Sequence, residues 1–257
     1  MATRKPVIVV IPGAFHRPSH YDPIILPLRE QGYTVISPPL VTCGDVDVSA
    51  AALPADDAKR VHEDLLPLLD QGLEAVVVAH SYGSVVATET IRDQTRAERA
   101  SRGLPGGIVG AVWIAGFCFP TRGKNITGGD DKIPPTPYQT LKDGLLSLTE
   151  DAKPVFYSGL SPELADAAFT SLCKFQSHAA FHVCPDFIAS DITVPKTYLL
   201  CESDQAVPPA YQQVMIEFGK FQKVVRLASG HSPFLGMPGR VVDEIVQVCD
   251  QGISEQL

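Results

Sequence analysis

Three residues stand where they could act as one nucleophilic unit. Ser81 lies in Ala79-His80-Ser81-Tyr82-Gly83, Asp204 in Leu200-Cys201-Glu202-Ser203-Asp204-Gln205, and His231 in Ala228-Ser229-Gly230-His231-Ser232-Pro233. A hydroxyl is a poor nucleophile until a base takes its proton, and an imidazole does so best when a carboxylate holds its tautomer. Each of the three follows an apolar, β-branched run (Ala75–Ala79, Lys196–Cys201 and Val224–Leu227), so each is expected at a strand end. Small residues two before and two after the serine suit a sharp strand-to-helix turn. Ala79 takes the first small position, where glycine is usual, and alanine is still small enough. The order Ser, Asp, His along the chain agrees with this assignment.

The rival readings are few. Glu202 is the alternative acid, and Asp204 could instead cap a helix beginning near Pro208. Of the other histidines, His16 and His20 lie near the first strand, His62 on a helix surface and His80 inside the turn. His178 and His182 are four apart, which resembles metal spacing, but no third ligand accompanies them and no metal is expected.

A serine nucleophile needs two backbone donors for the developing negative charge. One is expected from Tyr82, directly after Ser81. The other is expected from Ala14, with Phe15 next, in Ile11-Pro12-Gly13-Ala14-Phe15-His16; the plainer reading makes Pro12-Gly13 only a turn.

These residues need a scaffold that brings strand ends together. Further strand-like runs occur at Val7–Ile11, Tyr33–Ile36 and Ile108–Ala115, each bounded by Gly, Pro or polar residues. Helical periodicity appears at Tyr21–Gln31, Ala55–Gln71, from Ser81 to about Arg102, and at Pro209–Phe218 and Pro238–Gln251. The alternation predicts an α/β fold: a mostly parallel central sheet with helices on both faces. Between Phe117 and Pro195 no strong strand signal is visible. Helical fragments are expected at Gln139–Ser147, Ser161–Cys173 and Pro185–Ser190. The chain reads as one domain, residues 1–257, with a helical cap inserted at about residues 118–194. The aromatics of the insertion mostly pack it onto the body. Phe15 and His16 from the first turn, and Phe117, Phe156 and His182 from the insertion, are the expected substrate contacts.

Composition excludes several classes. Hydrophobic residues at 45% suit a packed globule, and a net charge of -8 leaves no basic stripe for nucleic acid or anionic membranes. The apolar run Val7–Ile11 is too short for a signal-peptide core or a membrane span. The six cysteines show no CxxC spacing and read as reduced thiols. A cytoplasmic protein acting on a small molecule, alone or as a homodimer, is the expectation.

Pro12-Gly13-Ala14-Phe15-His16, the Ala79–Gly83 turn, Glu202–Pro208 and Gly230-His231-Ser232-Pro233-Phe234 together resemble the α/β-hydrolase superfamily. Within it the chain is similar to the small-capped branch holding plant methylesterases and hydroxynitrile lyases, and related fungal and bacterial hydrolases. The resemblance spans the whole chain and is least specific in the cap. It implies a cofactor-free enzyme with a site between body and cap, Ser81 as nucleophile, His231 as base, Asp204 as its orienter, and Ala14 and Tyr82 as oxyanion donors. Cyanogenic lyases of that branch carry threonine where Gly13 stands and lysine where Ser232 stands, so cyanohydrin cleavage is disfavoured. Ester hydrolysis through an acyl-enzyme is the leading expectation, on a methyl ester, lactone or similar small apolar or aromatic ester. A non-hydrolytic enzyme acting on a polyketide-like compound, or a ligand-binding receptor on the same scaffold, are the alternatives.

Overall fold

The computed structural model describes residues 4–254; residues 1–3 and 255–257 of the expected domain lie outside the described residues. Six strands form one parallel sheet: β1 (Val7–Ile11), β2 (Val35–Ile36), β4 (Glu74–His80), β5 (Gly107–Ile114), β9 (Lys196–Cys201) and β10 (Lys223–Leu227), in the order β10-β9-β5-β4-β1-β2. The period of two in a strand sends alternate side chains to opposite faces. Val7, Val9 and Ile11 of β1 and Ala75, Val77 and Ala79 of β4 enter one core, while Ile8, Val10, Val76 and Val78 enter the other. Both faces are buried, so these strands read as unbroken apolar runs rather than alternating ones.

Helices cover each face. On the first lie α2 (Pro54–Leu69), α3 (Gly83–Ile91) and α7 (Pro209–Gly219), contributing Val61, Leu65, Val86 and Ile216. On the second, α1 (Asp22–Glu30), α8 (Pro233–Gly236) and α9 (Pro238–Ser254) contribute Ile24, Leu28, Phe234, Val241 and Ile245. Fully burying one such side chain is worth roughly 1.5–3 kcal/mol, which is why these helices are held by packing rather than by propensity. The expected helix from Ser81 to Arg102 is instead two. It breaks after α3, where Asp93 takes a φ of 60°, and α4 (Arg96–Ser101) starts afresh. Thr95 caps α4 by accepting from Glu98 N–H at 3.3 Å while Glu98 accepts from Thr95 N–H at 3.0 Å. That capping box was present in the sequence as Thr95-x-x-Glu98.

The cap departs most from expectation. It is not helical throughout but carries an antiparallel sheet, in the order β3-β8-β7-β6, formed by β6 (Gln139–Lys142), β7 (Leu145–Leu148), β8 (Phe175–Ser177) and β3 (Cys43–Gly44) from the body. Gln139–Ser147, expected as helix, is a hairpin. Its turn residues Asp143 and Gly144 both have positive φ, 51° and 80°. Asp-Gly is the pair that a two-residue hairpin loop with φ > 0 at both positions favours, because its twist matches the strands. The cap also holds α5 (Ala152–Phe156) and α6 (Pro162–Thr170), the latter falling within the expected fragment Ser161–Cys173 and capped by Ser161. Pro185–Ser190 contains no α-helix, only the start of a 3-10 turn over Ala189–Asp191. Because β3 pairs with β8, the cap is stitched to the body through Cys43 and Gln176 rather than lying loosely over it. All six cysteines are free thiols.

Candidate active site

Ser81 sits immediately after β4 with a φ of 51°, a left-handed conformation that costs a non-glycine residue on the order of 1–3 kcal/mol. Its neighbours hold it there. Ser81 N–H donates to Ile114 O at 2.9 Å, and Ser84 donates to Ser81 O through both its N–H (3.0 Å) and its Oγ (2.7 Å). A Cβ on Gly83 would stand 2.4 Å from Pro12 O, so only glycine lets α3 start this close to the first turn. The result is a serine side chain lifted out of the strand line, 8% exposed and free of hydrogen bonds from Oγ among the described residues.

The loops after β9 and β10 supply the next two groups. His231 Nδ1 and Asp204 Oδ2 lie 2.7 Å apart, both residues buried. Asp204 Oδ1 accepts from the N–H groups of Ala206 (2.8 Å) and Val207 (2.9 Å), which fixes the carboxylate plane. Gln212 on α7 completes the support. Its Oε1 accepts from Cys201 N–H at 2.9 Å while its Nε2 faces Asp204 Oδ2 at 3.2 Å and Val207 O at 2.7 Å. Glu202, the rival acid, points outward toward Arg226 at 3.6 Å and is 44% exposed. His231 Nε2 has no partner among the described residues, and no hydrogen bond joins it to Ser81. A nucleophile–base contact that tightens only with substrate bound is common in empty sites.

The first turn lies beside the serine. No acceptor among the described residues takes the N–H of Ala14 or of Tyr82, whereas Phe15 N–H is spent on Gln176 Oε1 at 3.3 Å. Gly13 N–H donates to Tyr21 Oη (2.8 Å), Tyr21 Oη donates to His80 Nδ1 (2.8 Å), and His80 Nε2 donates to His231 O (2.9 Å). This relay ties the turn, the serine elbow and the histidine loop into one unit. A Cβ on Gly13 would stand 2.7 Å from His80 Nδ1, so the threonine of the lyases has no room here. Ser232 is likewise committed, its hydroxyl donating to Phe156 O at 3.0 Å.

The tyrosine after the serine is anchored at its far end. Tyr82 Oη donates to the buried Asp57 carboxylate at 2.8 Å, which also accepts from Thr42 Oγ1 at 2.7 Å. Burial pushes the Asp57 carboxyl up, and its donors pull it back.

Burial, reinforced by the neighbouring histidines, holds the imidazoles of His16 and His80 well below the ordinary value, and burial lowers His20 as well. These rings stay neutral in the fold but take up protons below about pH 6.5 once unfolded. The unfolded state therefore binds more protons as pH falls, so their contribution is complete above about pH 6.5 and is lost on going below it. Urea unfolding should show a clear drop in stability between about pH 7.5 and 5.5, at most about 1.4 kcal/mol per histidine per pH unit. A flat profile across that window would contradict three neutral buried imidazoles.

The residues expected to touch substrate divide into groups. His16 is spent inside the site wall: its Nδ1 donates to Ala14 O at 2.9 Å and its Nε2 faces Tyr157 Oη at 3.2 Å. Phe15 is fully buried and packs with Leu146, Phe156 and Tyr157. Phe156 faces the imidazole, its ring centroid 5.9 Å from that of His231. Phe117 lines a small apolar chamber of about 40 Å³ with Tyr82, Val85, Phe119 and Phe181. His182 lies instead on an outer groove of about 690 Å³ between the cap, the start of α2 and Val85, Thr88 and Glu89 of α3. There His182 Nδ1 accepts from Ile133 N–H (3.1 Å) and His178 Nε2 donates to Ile133 O (2.9 Å), so the pair clasps a loop of the cap. No group of three or more metal-ligating side chains occurs among the described residues. No helix among them is long and apolar enough to cross a membrane.

Sequence reasoning missed Gln212, Tyr21, His80, Tyr157, Asp57 and Gln176. Gln212 and Tyr21 carried a local signal, each lying eight residues from a group of the site, Asp204 and Gly13. The contacts Tyr82–Asp57, Tyr21–His80, Tyr157–His16 and Gln176–Phe15 join residues 25 to 161 apart, where no spacing rule reaches.

A family model described as the alpha/beta hydrolase family matches residues 8–244. The alpha/beta hydrolase nvfD of Aspergillus novofumigatus is 28% identical over 263 residues, covering 97% of this chain and 99% of that protein. Among solved structures, a pyrethroid hydrolase from Sphingobium faniae JZ-2 has a TM-score of 0.70 at 19% identity, covering 95% of this chain and 97% of that one. A methylesterase from Arabidopsis has a TM-score of 0.70 at 18% identity, with 95% and 99% covered. These likenesses span nearly the whole chain. Since the family model runs from within β1 into α9, this chain belongs to the alpha/beta hydrolase family.

Proposed function

We propose that this protein is a serine esterase acting on small or medium apolar esters through an acyl-enzyme. The observation that carries the reading is the buried 2.7 Å contact between His231 and Asp204, which leaves His231 Nε2 uncommitted on a loop bonded to His80, the residue before the strained, unbonded Ser81. His231 takes the Ser81 proton as Oγ attacks the ester carbonyl, and the N–H groups of Ala14 and Tyr82 receive the oxyanion. The imidazolium then gives its proton to the departing alcohol. Water, deprotonated by the same nitrogen, attacks the acyl carbon and releases the acid with Ser81 restored. Asp204 keeps the proton of neutral His231 on Nδ1 and stabilises the imidazolium.

The surroundings support an apolar substrate. The chamber beside Tyr82 is walled by Val85, Phe117, Phe119 and Phe181, and Val85 and Phe119 also line the outer groove. The chamber of about 40 Å³ holds little more than a methyl group, and Ser81, Asp204 and His231 line neither it nor the outer groove of about 690 Å³. A fluorophosphonate probe and turnover in water enriched in heavy oxygen test the reading together. The probe should add to Ser81, and one solvent oxygen should enter each acid released over many turnovers. Labelling elsewhere, or products without solvent oxygen, would reject hydrolysis by this serine in favour of a non-hydrolytic reaction. Stoichiometric binding without turnover would favour a receptor.

A further inference from the structure

Gln176 is fully buried on β8, and its two ends are in opposite conditions. Its Oε1 accepts the N–H of Phe15 at 3.3 Å, while its Nε2 is buried without any hydrogen-bond partner. The amide orientation follows from the bond: turned over, Nε2 would face the Phe15 donor. Ser37 Oγ, Trp113 Nε1 and Thr136 Oγ1 are also buried without a partner, but of these four only Gln176 bonds to the turn carrying Ala14. Cys173, three residues before Gln176, donates its N–H to Phe15 O at 2.8 Å. The cap therefore grips both backbone groups of Phe15, one residue beyond the proposed oxyanion donor.

An unmet amide donor is expensive to keep in a dry interior, so such groups are paired in nearly all folded proteins. A site built around such a donor favours a ligand that supplies the missing acceptor and penalises the isostere that lacks it. We propose that Gln176 is a specificity residue that donates from Nε2 to an oxygen acceptor on the substrate near the reacting carbonyl, while its Oε1 positions the oxyanion turn. This rests on the esterase reading and narrows its substrate class to esters carrying an ether, keto or hydroxyl oxygen close to the ester group. A plain alkyl ester of the same shape leaves Nε2 unmet.

Two isosteric pairs test it: p-nitrophenyl methoxyacetate against p-nitrophenyl butanoate, and 2-methoxyethyl acetate against butyl acetate. Each exchanges one methylene for oxygen, and intrinsic reactivity cancels when the kcat/KM ratio is compared between enzymes. Gln176→Glu, assayed at a pH where the carboxyl is ionised, keeps an acceptor for Phe15 N–H but removes the donor; Gln176→Met removes both. In at least one pair, both variants should lower the oxygen-to-methylene ratio by about tenfold or more, the scale on which an unmet buried donor is felt. Gln176→Met should also lower kcat more than Gln176→Glu does, because it alone frees the turn. Ratios within twofold of wild type in both pairs would overturn the proposal, including the case where a bound water satisfies Nε2. Calorimetric affinities of the same pairs for Ser81→Ala, with and without each Gln176 change, read the preference without turnover. A preference for oxygen there that disappears with Gln176 sustains the assignment even if Ser81 proves not to be the nucleophile, and no preference overturns it.

Discussion

Replacing Ser81 by alanine should reduce kcat by on the order of 10⁵–10⁶-fold while leaving stability within about 0.5 kcal/mol of wild type. The two halves of that expectation have separate causes. Ser81 Oγ makes no hydrogen bond among the described residues, so the fold loses no polar contact with it. Alanine retains the Cβ, so the positive φ of 51° costs the variant what it costs the parent. The chemistry, by contrast, loses its nucleophile outright. What survives is the smaller contribution of the Ala14 and Tyr82 donors and of binding. Initial rates on an activated ester and a urea titration of the same preparation check both halves. Activity within tenfold of wild type would dismiss Ser81 as nucleophile. A loss of activity matched by a large loss of stability would mean that the hydroxyl serves the fold instead.

The second large effect is expected at Asp204. Asp204→Asn should lower turnover by about 10⁴-fold, the scale seen when the orienting carboxylate of a serine enzyme becomes an amide. The surroundings dictate how the amide must sit. The N–H groups of Ala206 and Val207 require an oxygen at the Oδ1 position, so the new NH₂ is forced to the Oδ2 position. There it meets His231 Nδ1 and also Gln212 Nε2, whose amide cannot turn because Gln212 Oε1 is held by Cys201 N–H. His231 then places its proton on Nε2, where it cannot act as base toward Ser81. Glu202→Gln should stay within about twofold of wild type, because its contact with Arg226 is an exposed pair of small worth. If the asparagine variant were nearly as active as the parent and the Glu202 variant dead, the acid role would pass to Glu202.

Much of the fold was legible because parallel strands buried on both faces have no reason to alternate. Val7–Ile11 and Ala75–Ala79 announce themselves as apolar runs, and the residue after such a run is at a strand end by construction. The cap was harder. Gln139-Thr140-Leu141-Lys142 is largely exposed on its strand, so burial imposes little pattern on it and a helix reads equally well. Its only firm signal was the turn chemistry of Asp143-Gly144. The break between α3 and α4 was likewise written in the Thr95–Glu98 box, a local cue outweighed by the longer apolar periodicity around it.

By itself the sequence determined where Ser81, Asp204 and His231 fall relative to strand ends, because hydrophobic periodicity is local and the topology of a parallel sheet gathers its strand ends at one edge. Which carboxylate meets the imidazole depends on how the loop after β9 packs. Asp204 and Glu202 are two residues apart in the same loop, and the turn through Ala206 and Val207 sends one inward and the other to solvent. The tertiary structure decided what braces the site. The Phe15–Gln176 bond joins residues 161 apart, and Tyr21–His80 joins residues 59 apart. Such contacts depend on the packing of whole layers against each other, and no pattern within one segment encodes them.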